Sequence, residues 1–279
     1  MDNESPRVSV IIPARNEGKR IVRVIEEVKK VSPSIEIVVV SNGTTDGTTK
    51  LALDSGARVI EGYQSLGYDV GRAIGAYFAK GEVLLFIDAD FVIPAEKLQV
   101  YINAVQAGWD IALNAYSGYC TKRKMHPTSL AKRLLNHIAG RPDLIGSSLT
   151  TVPHAMSRKA VKKIGWEELA VPPRAQAKAI LEGLSITRVC PINTARVNKR
   201  RIGRTENVKE LVLGDHAEAI AFFMREKGVR AGFKDLDRKR QLLQFPGHLH
   251  LRSIVREKTA RIEGGEGRDQ LQSKEKGQD

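Results

Sequence analysis

The stretch Gly81-Glu82-Val83-Leu84-Leu85-Phe86-Ile87-Asp88-Ala89-Asp90 decides the fold class of this chain. The apolar run at residues 83–87 is typical of a strand that is buried on both faces of a parallel sheet. Residues 8–13 and 35–40 form apolar runs of similar length, and each is also followed by polar residues. We therefore expect these three runs to be strands of one buried sheet.

Segments with helical spacing separate these runs. They predict helices over residues 18–31, 46–55, 70–79 and 94–107, with further strands over residues 58–60 and 110–115. Alternation of strands and helices with short links predicts βαβ units and a mostly parallel α/β sheet. After about Tyr116 the pattern is less regular, and it predicts helices over residues 129–139, 175–182 and 217–227 and strands over residues 147–158 and 185–189.

The composition gives the chain an excess of positive charge. Its 279 residues carry a formal net charge of +13, and Lys and Arg concentrate in residues 196–204, in residues 225–240 and after residue 252. Such charge suits nucleic acid, an anionic membrane surface, an anionic substrate or a plain solvated surface. Because aromatic residues make up only 5% and no nucleic-acid-binding motif occurs, we expect no nucleic acid partner.

The sequence also predicts where the protein resides. No apolar run approaches the roughly 20 residues that span a bilayer, and the first residues are polar and acidic, so we expect a cytoplasmic protein without a signal peptide. Cys120 and Cys190 lie too far apart for a metal or redox motif, and we expect reduced thiols. Residues after about 264 are almost devoid of apolar side chains, which predicts a disordered tail.

Polar clusters follow three of the predicted strands. Arg15, Asn16 and Glu17 follow the first strand, Asn42 follows the second, and Asp88 and Asp90 follow the fourth. Ligands of open parallel sheets bind at the carboxyl ends of the strands. On an extended chain, two aspartates at i and i+2 face the same side and can hold one hard divalent cation that also binds phosphate oxygens. The alternative is an acidic turn after a strand.

Three runs, at residues 8–18, 37–48 and 81–90, resemble the family 2 glycosyltransferases of the GT-A fold in order and spacing. The likeness covers about residues 7–115. It implies a Rossmann-like, mostly parallel central sheet flanked by helices, with a smaller C-terminal acceptor-side subdomain. The predicted division is a nucleotide-sugar-binding half (residues 1–115), an acceptor-side half of the same domain (residues 116–232) and a basic C-terminal extension (residues 233–279).

The resemblance also implies roles for individual residues. A nucleoside-diphosphate-sugar donor, a UDP- or GDP-sugar, would lie against Pro13, Ala14, Arg15, Glu17, Asn42, Arg72, Asp88 and Ala89. Asp90 would be the main ligand of Mn²⁺ or Mg²⁺. Asn42 stands where the family usually has an aspartate. Arg72 stands where relatives often carry a basic residue; it would reach a diphosphate oxygen or be an ordinary surface arginine.

The second half departs from the family pattern. Inverting relatives carry an acidic pair where this chain has residues 171–174, which contain no carboxylate. A base that takes the acceptor's proton would then be Asp215, or else Glu167 or Glu168. The alternative role of Asp215 is to cap the helix predicted from residue 217. A retaining enzyme would need no such base.

Two histidines in this half are further candidates. His216 would be a third metal ligand or a surface residue, and His154 would line the acceptor cleft.

The sequence thus predicts a metal-dependent transfer of a sugar to an anionic or membrane-associated acceptor, with peripheral attachment to the inner face of a membrane. One alternative is a degenerate nucleotide-sugar-binding protein that lost its base. A nucleotidyltransferase is less favoured, because the loop after the first strand has glycine only at Gly18 rather than a glycine-rich phosphate loop.

Overall fold

The computed structural model describes residues 7–62, 64–116, 125–194 and 208–244. One sheet of seven strands forms the centre, in the order β3-β2-β1-β4-β6-β5-β7. The strands are β1 (Val8–Ala14), β2 (Ile35–Asn42), β3 (Arg58–Gly62), β4 (Val83–Phe86), β5 (Ile111–Asn114), β6 (His154–Ser157) and β7 (Ile186–Val189). All neighbouring pairs are parallel except those made by β6. The predicted mostly parallel α/β sheet is confirmed.

Helices connect most of these strands. The α-helices in the described part of the chain are α1 (Ile21–Lys29), α2 (Thr48–Asp54), α3 (Val70–Phe78), α4 (Ala95–Gln106), α5 (Pro127–Ile138), α6 (Arg158–Ile164), α7 (Pro172–Leu181) and α8 (Val208–Lys227). Short 3-10 helices occur at Pro142–Leu144, Trp166–Ala170 and Arg240–Gln244.

Apolar side chains fill both faces of the sheet. In β1, Val8, Val10 and Ile12 pack in one core with helices α1 and α4, whereas Ile11 belongs to a second core that includes residues of α3, α6 and α7. This alternation is the two-residue period of a strand. A third, smaller cluster joins α5, α7 and α8 through residues such as Leu135, Ala177 and Phe223.

The chain reverses its direction of sheet growth at β1. From β1 it adds β2 and then β3 on one side, and β4 returns to pair with the opposite side of β1. The crevice between the carboxyl ends of β1 and β4 is therefore a topological switch point, where open α/β sheets bind ligands. Residues 15–17 and 88–90 follow these two strand ends.

Strand β6 brings the second half of the chain to the same edge. The predicted strand over residues 147–158 is real only at His154–Ser157, and residues before it form turns. Because β6 runs antiparallel to β4, His154 lies opposite Phe86, near the end of β4 that precedes Asp88. The first residue of β6 thus reaches the switch point.

Two local expectations were wrong. Strand β4 ends at Phe86, and Ala89 and Asp90 lie in a turn, so the same-face rule for an extended chain does not apply to Asp88 and Asp90. Helix α8 begins by Val208 rather than at residue 217, so Asp215 lies inside the helix and does not cap it. Gly214 interrupts the sequence pattern, but a helix tolerates a single glycine at a cost of about 1 kcal/mol.

The chain divides into two compact units, Met1–Phe233 and Lys234–Asp279. In the second unit, Asp235 forms ion pairs with Arg238 and Arg240. The three-part division at residues 115 and 232 stays a prediction. Cys120, the basic cluster at residues 196–204 and the tail after residue 264 lie outside the described residues. Across the described ranges, no helix is both long and apolar enough to traverse a membrane.

Candidate active site

Arg72 holds two carboxylates at the centre of the switch point. Its Nη1 donates a hydrogen bond to Asp69 Oδ1, and its Nη2 donates one of 3.0 Å to Asp88 Oδ1. The Arg72 side chain is only 11% exposed, so the predicted alternative of a surface arginine is wrong. Burial alone would lower the pKa of Arg72, but the charges of Asp69 and Asp88 outweigh it and raise this pKa.

Close packing of α3 on the sheet sets the position of Arg72. A Cβ atom at Gly71 would lie 3.1 Å from Pro13 Cβ, and one at Gly75 would lie 2.3 Å from Ile11 Cγ2. Only glycine permits this approach at Gly75, because atoms at that separation overlap. The small residues of α3 therefore bring the first turn of the helix, with Arg72, against the end of β1.

The loops that follow β1 and β2 are tied to each other. Asn16 Oδ1 accepts a 2.9 Å hydrogen bond from Thr45 N, and Asp46 Oδ2 accepts one of 3.2 Å from Gly18 N. Glu17 N donates a 2.8 Å bond to Thr48 Oγ1. Of the residues predicted to line the nucleotide pocket, Ala14 and Glu17 are buried, Pro13 is half-buried and Arg15 is exposed.

Asn42 uses its amide to hold the segment that follows β3. Its Nδ2 donates a 2.7 Å hydrogen bond to Gly67 O, and its Oδ1 accepts one of 2.5 Å from Leu66 N. An aspartate could accept from Leu66 but could not donate to Gly67. Asn42 therefore has a structural role that the sequence did not reveal, and its contact with a nucleotide stays a prediction.

The carboxylates of the Asp-Ala-Asp segment lie at the mouth of the crevice. Asp88 and Asp90 are half-buried and Ala89 is buried. In the described part of the chain, no group of three or more His, Cys, Asp or Glu side chains is arranged to hold a metal ion. Asp88, Asp90 and His216 thus do not assemble the three-ligand site that was expected, and the geometry lends no support to His216 as a ligand.

The second half supplies a group of basic side chains around Arg72. The His154 ring stacks on Phe86 with ring centroids 4.9 Å apart, and its Nδ1 donates to Thr151 O at 3.2 Å. Burial, together with the charge of Arg72, lowers the pKa of His154 to about 3, so the ring is neutral. Lys132 Nζ donates a 2.6 Å hydrogen bond to Thr151 Oγ1.

Helix α8 carries Asp215 and His216, and the surroundings of these two side chains differ. Burial raises the pKa of Asp215 to about 6, and the charges of Asp69 and Glu218 add to this effect. Asp215 is therefore within electrostatic reach of Asp69. His216 is buried and its Nδ1 donates a 2.6 Å hydrogen bond to Val212 O; burial lowers its pKa to about 4. The predicted alternative of a surface histidine is wrong.

The other proposed bases have structural partners or lie exposed. Glu168 forms ion pairs with Arg174 at 3.1 Å and with Lys178 at 3.2 Å. Arg174 also pairs with Glu218 of α8. Where inverting relatives carry an acidic pair, this chain thus has an arginine that joins α7 to its neighbours. Glu167 is exposed.

Three residues of this region escaped the sequence analysis: Asp69, Lys132 and Thr151. Asp69 has a left-handed backbone (φ 59°), which is uncommon for a residue other than glycine, and it precedes the glycine-containing helix α3. The position of Asp69 directly before this helix was the sequence signal that could have identified it. Lys132 lies in a segment rich in basic residues, where nothing marks one lysine as buried.

The fold and the site define an open α/β sheet protein whose ligand crevice lies at the carboxyl ends of the strands. Residues 9–165, more than half of the chain, match the family model described as glycosyl transferase family 2. The chain belongs to this family, which confirms the resemblance seen in the sequence.

Relatives of known name match over shorter segments. Glucosyl-3-phosphoglycerate synthase of Mycobacterium tuberculosis is 33% identical over 98 residues, which is 31% of this chain and 30% of that protein. Polyprenol monophosphomannose synthase of Mycolicibacterium smegmatis is 33% identical over 118 residues, which is 39% of this chain and 44% of that protein. The chain thus spans less than half the length of either relative.

A solved structure extends the likeness in fold. It is the crystal structure of glucosyl-3-phosphoglycerate synthase from M. tuberculosis in complex with Mn²⁺, UDP and phosphoglyceric acid. The TM-score is 0.58 with 21% sequence identity, over 82% of this chain and 79% of the other. The predicted GT-A fold is confirmed.

Proposed function

We propose that this protein transfers a sugar from a nucleoside-diphosphate sugar, a UDP- or GDP-sugar, to an acceptor, with a divalent cation at Asp88 and Asp90. One observation carries the proposal: the segments that follow the parallel strands β1, β2 and β4 lie at the same end of the sheet, around the switch point, within the region that matches the family. Glu17 N and Thr48 Oγ1 link the loops that follow β1 and β2, and Arg72 holds Asp88 beyond the end of β4.

The carboxylates suit a hard divalent cation. Asp88 and Asp90 offer oxygen ligands two residues apart, and Mg²⁺ or Mn²⁺ commonly takes one or two carboxylates and completes its shell with phosphate oxygens and water. When bound, such an ion would neutralise the negative charge that develops on the departing nucleoside diphosphate. Arg72 fixes the Asp88 carboxylate through a 3.0 Å hydrogen bond, so that it is preorganised for this role.

Asp215 is the proposed general base. A carboxylate with a pKa of about 6 is mostly ionised at pH 7 and is a stronger base than an ordinary aspartate. Its position within electrostatic reach of Asp69 supports a place beside the donor site. Asp215 would accept the proton of the acceptor group as that group attacks the sugar, which is the chemistry of an inverting transfer.

An anionic acceptor suits the basic side chains of the second half. The names of several relatives contain acidic compounds, including phosphoglycerate and undecaprenyl phosphate, and one neighbouring structure contains phosphoglyceric acid. In this protein, Lys132 lies within electrostatic influence of Arg72 and would attract such a group. A location in the cytoplasm, at the inner face of a membrane, remains part of this proposal.

Donor turnover tests the proposal. The protein is incubated with Mn²⁺ and a panel of UDP- and GDP-sugars, without acceptor, and release of the nucleoside diphosphate is measured. We expect slow hydrolysis of at least one donor and its loss in Asp90→Asn. Asp54→Asn is the matched control, because Asp54 is exposed on α2.

Three outcomes would contradict the proposal. Equal turnover by Asp90→Asn and the unchanged protein would remove the metal role of Asp90. Donor binding without turnover, also in the presence of phosphorylated acceptors, would favour a degenerate binding protein. Release of pyrophosphate from a nucleoside triphosphate and a sugar phosphate would favour a nucleotidyltransferase.

A further inference from the structure

Lys132 is a half-buried cation whose hydrogen-bond partner is neutral. It lies on α5, and its Nζ donates a 2.6 Å hydrogen bond to Thr151 Oγ1. Among the described residues, no Asp or Glu forms an ion pair with Lys132. The residue is half-buried, and burial together with the charge of Arg72 lowers the pKa of its ammonium group to about 8.

The groups around this ammonium do not neutralise it. Arg72 is a second cation, and its own carboxylates, Asp69 and Asp88, are engaged by its guanidinium. His216 adds no charge, because burial, together with the charge of Lys132, lowers its pKa to about 4 and leaves the ring neutral. The charges of Arg72 and Lys132 are balanced in number by those of Asp69 and Asp88, but both carboxylates are paired with Arg72, and no carboxylate of the described residues is paired with Lys132 itself.

Such an arrangement is costly in the absence of a ligand. A buried ammonium needs hydrogen bonds and an opposite charge, and an isolated one disfavours the folded state. A hydroxyl can satisfy only one of its three N–H groups. At pH 7 most Lys132 side chains still carry the charge, since the pKa of about 8 lies above that pH. The unused positive charge is suited to an anion brought by a substrate.

We propose that Lys132 binds an anionic oxygen of a substrate, a phosphate or carboxylate group, beside Arg72 in the crevice. The inference rests on the proposed function, since it assigns a substrate contact in the same site. Two sources have this chemistry: the diphosphate of the donor and an acidic group of the acceptor. Thr151 acts as a positioning residue, because its hydroxyl fixes the ammonium.

The test compares Lys132→Met with the unchanged protein. Methionine keeps the length and apolar stem of the side chain and removes the charge. Lys97→Met is the matched control, because Lys97 is exposed on α4 and forms no ion pair within the described residues. Thermal unfolding is followed with and without inorganic phosphate or pyrophosphate, and the dissociation constant of each anion is measured by calorimetry.

We expect both anions to stabilise the unchanged protein and Lys97→Met. Lys132→Met should bind at least one of them about tenfold more weakly, as expected for a charge-assisted contact. Without anion, the melting temperature of Lys132→Met should equal or exceed that of the unchanged protein. The reason is that residues needed for binding often lower the stability of the folded state. Lys132→Arg keeps the charge and should retain part of the binding. If Lys132→Met does not fold, Lys132→Gln replaces it.

A second arm identifies the source of the anion. The phosphate response is measured again with UDP and Mn²⁺ at saturation. Loss of the Lys132-dependent response would assign the contact to the donor diphosphate, and its persistence would assign it to the acceptor.

Anion binding that is unchanged in Lys132→Met overturns the inference, whatever the melting temperature of this variant. Turnover of a nucleotide sugar that is insensitive to Lys132→Met would also overturn it and leave the proposed function intact. A Lys132-dependent anion response in a protein that turns over no nucleotide sugar would instead contradict the proposed function alone.

Discussion

Arg72 Nη2 lies 3.0 Å from Asp88 Oδ1, so the arginine of helix α3 and the first aspartate of the Asp-Ala-Asp segment form one partly buried unit. Asp69 is the third member and also receives a hydrogen bond from the guanidinium. Burial and the nearby negative charge of Asp88 raise the pKa of Asp69, while Arg72 opposes that rise. One cation thus keeps two carboxylates together at the mouth of the crevice.

Replacement of Arg72 by methionine should both destabilise the protein and abolish turnover. The change leaves two like charges close together in a partly buried place, and breaking such a pair costs about 3 kcal/mol. Arg72→Lys should recover part of the stability but less of the activity, because an ammonium cannot serve two carboxylates with the fixed fork of a guanidinium. Urea unfolding and donor hydrolysis measure the two effects.

Two further variants make this prediction specific. Arg23→Met is the control, since Arg23 is exposed on α1. In Arg72→Met, the added change Asp69→Asn should restore stability but not turnover. If Arg72→Met unfolded at the same urea concentration as Arg23→Met, the pairing would have no energetic role.

Asn42→Asp should destabilise the protein even though it restores the residue type usual in the family. The new carboxylate cannot donate to Gly67 O, and it would face that carbonyl at the 2.7 Å distance of the present hydrogen bond. A lost hydrogen bond with an unsatisfied group costs about 1 to 3 kcal/mol. Thermal unfolding should therefore occur at a lower temperature.

Asn103→Asp is the matched control for this change. The side-chain oxygen of Asn103 accepts a 2.7 Å bond from Gln99 on the exposed side of α4, and an aspartate can still accept it. Equal melting temperatures for the two variants would show that the Asn42 amide is not needed to hold the 64–67 segment.

The sequence predicted the first half of the fold more fully than the second for a physical reason. In residues 8–115 the strands are continuous apolar runs and the helices have a clear apolar face, so local pattern and tertiary burial agree. In the second half, the structure of residues 147–157 depends on pairing with β4, which no local pattern encodes. The early start of α8 was missed because Gly214 resembles a helix boundary.

The candidate site also contains residues that the sequence indicated and residues that it did not. Asp88, Asp90 and Glu17 follow strands, and that placement could be read from the sequence. The contact of Arg72 with Asp88 and that of Lys132 with Thr151 join segments that meet only in three dimensions. The roles of these side chains depend on contacts with residues that are distant along the chain, so local sequence patterns do not identify them.

Gly75→Ala should disrupt the packing of α3 on the sheet. The added Cβ would lie 2.3 Å from Ile11 Cγ2, which belongs to a rigid β-branched side chain in β1. Overpacking of this kind costs about 1 to 3 kcal/mol, and the shift of α3 should also move Arg72 and weaken donor binding. Melting temperature and the dissociation constant of UDP with Mn²⁺ measure the two consequences.

Gly214→Ala is the matched control within another helix. A Cβ at Gly214 meets no atom within 4 Å, and alanine should stabilise α8 by about 0.5 to 1 kcal/mol. Gly75→Ala and Gly214→Ala should therefore change the melting temperature in opposite directions. A Gly75→Ala variant as stable as the unchanged protein would mean that α3 can move away from β1 at no cost.

Asp215→Asn should stabilise the protein at alkaline pH while it slows transfer. Burial, with the charges of Asp69 and Glu218, raises the pKa of Asp215 from its ordinary 3.8 to about 6, so the folded state binds this proton more tightly than the unfolded state. Between pH 3.8 and 6 the contribution of Asp215 to stability therefore falls as pH rises, and above pH 6 the full penalty remains.

Asparagine removes that penalty. The melting temperatures of Asp215→Asn and the unchanged protein should coincide near pH 4 and separate above pH 6, with the variant higher. The gain should be about 1 kcal/mol or less, because Asp215 is half-exposed and solvent screens its charge. Asp54→Asn, at an exposed position on α2, should show no such dependence on pH.

Measurements of activity distinguish a general base from a carboxylate that only destabilises the folded protein. If Asp215 accepts the acceptor's proton, the rate of the unchanged protein should fall as pH drops below about 6, because protonated Asp215 cannot act as a base. Asp215→Asn should then be at least about 100-fold slower at pH 8 and should lose the acidic limb of the profile. A variant that is more stable at pH 8 but retains its rate would instead support a retaining reaction that needs no base.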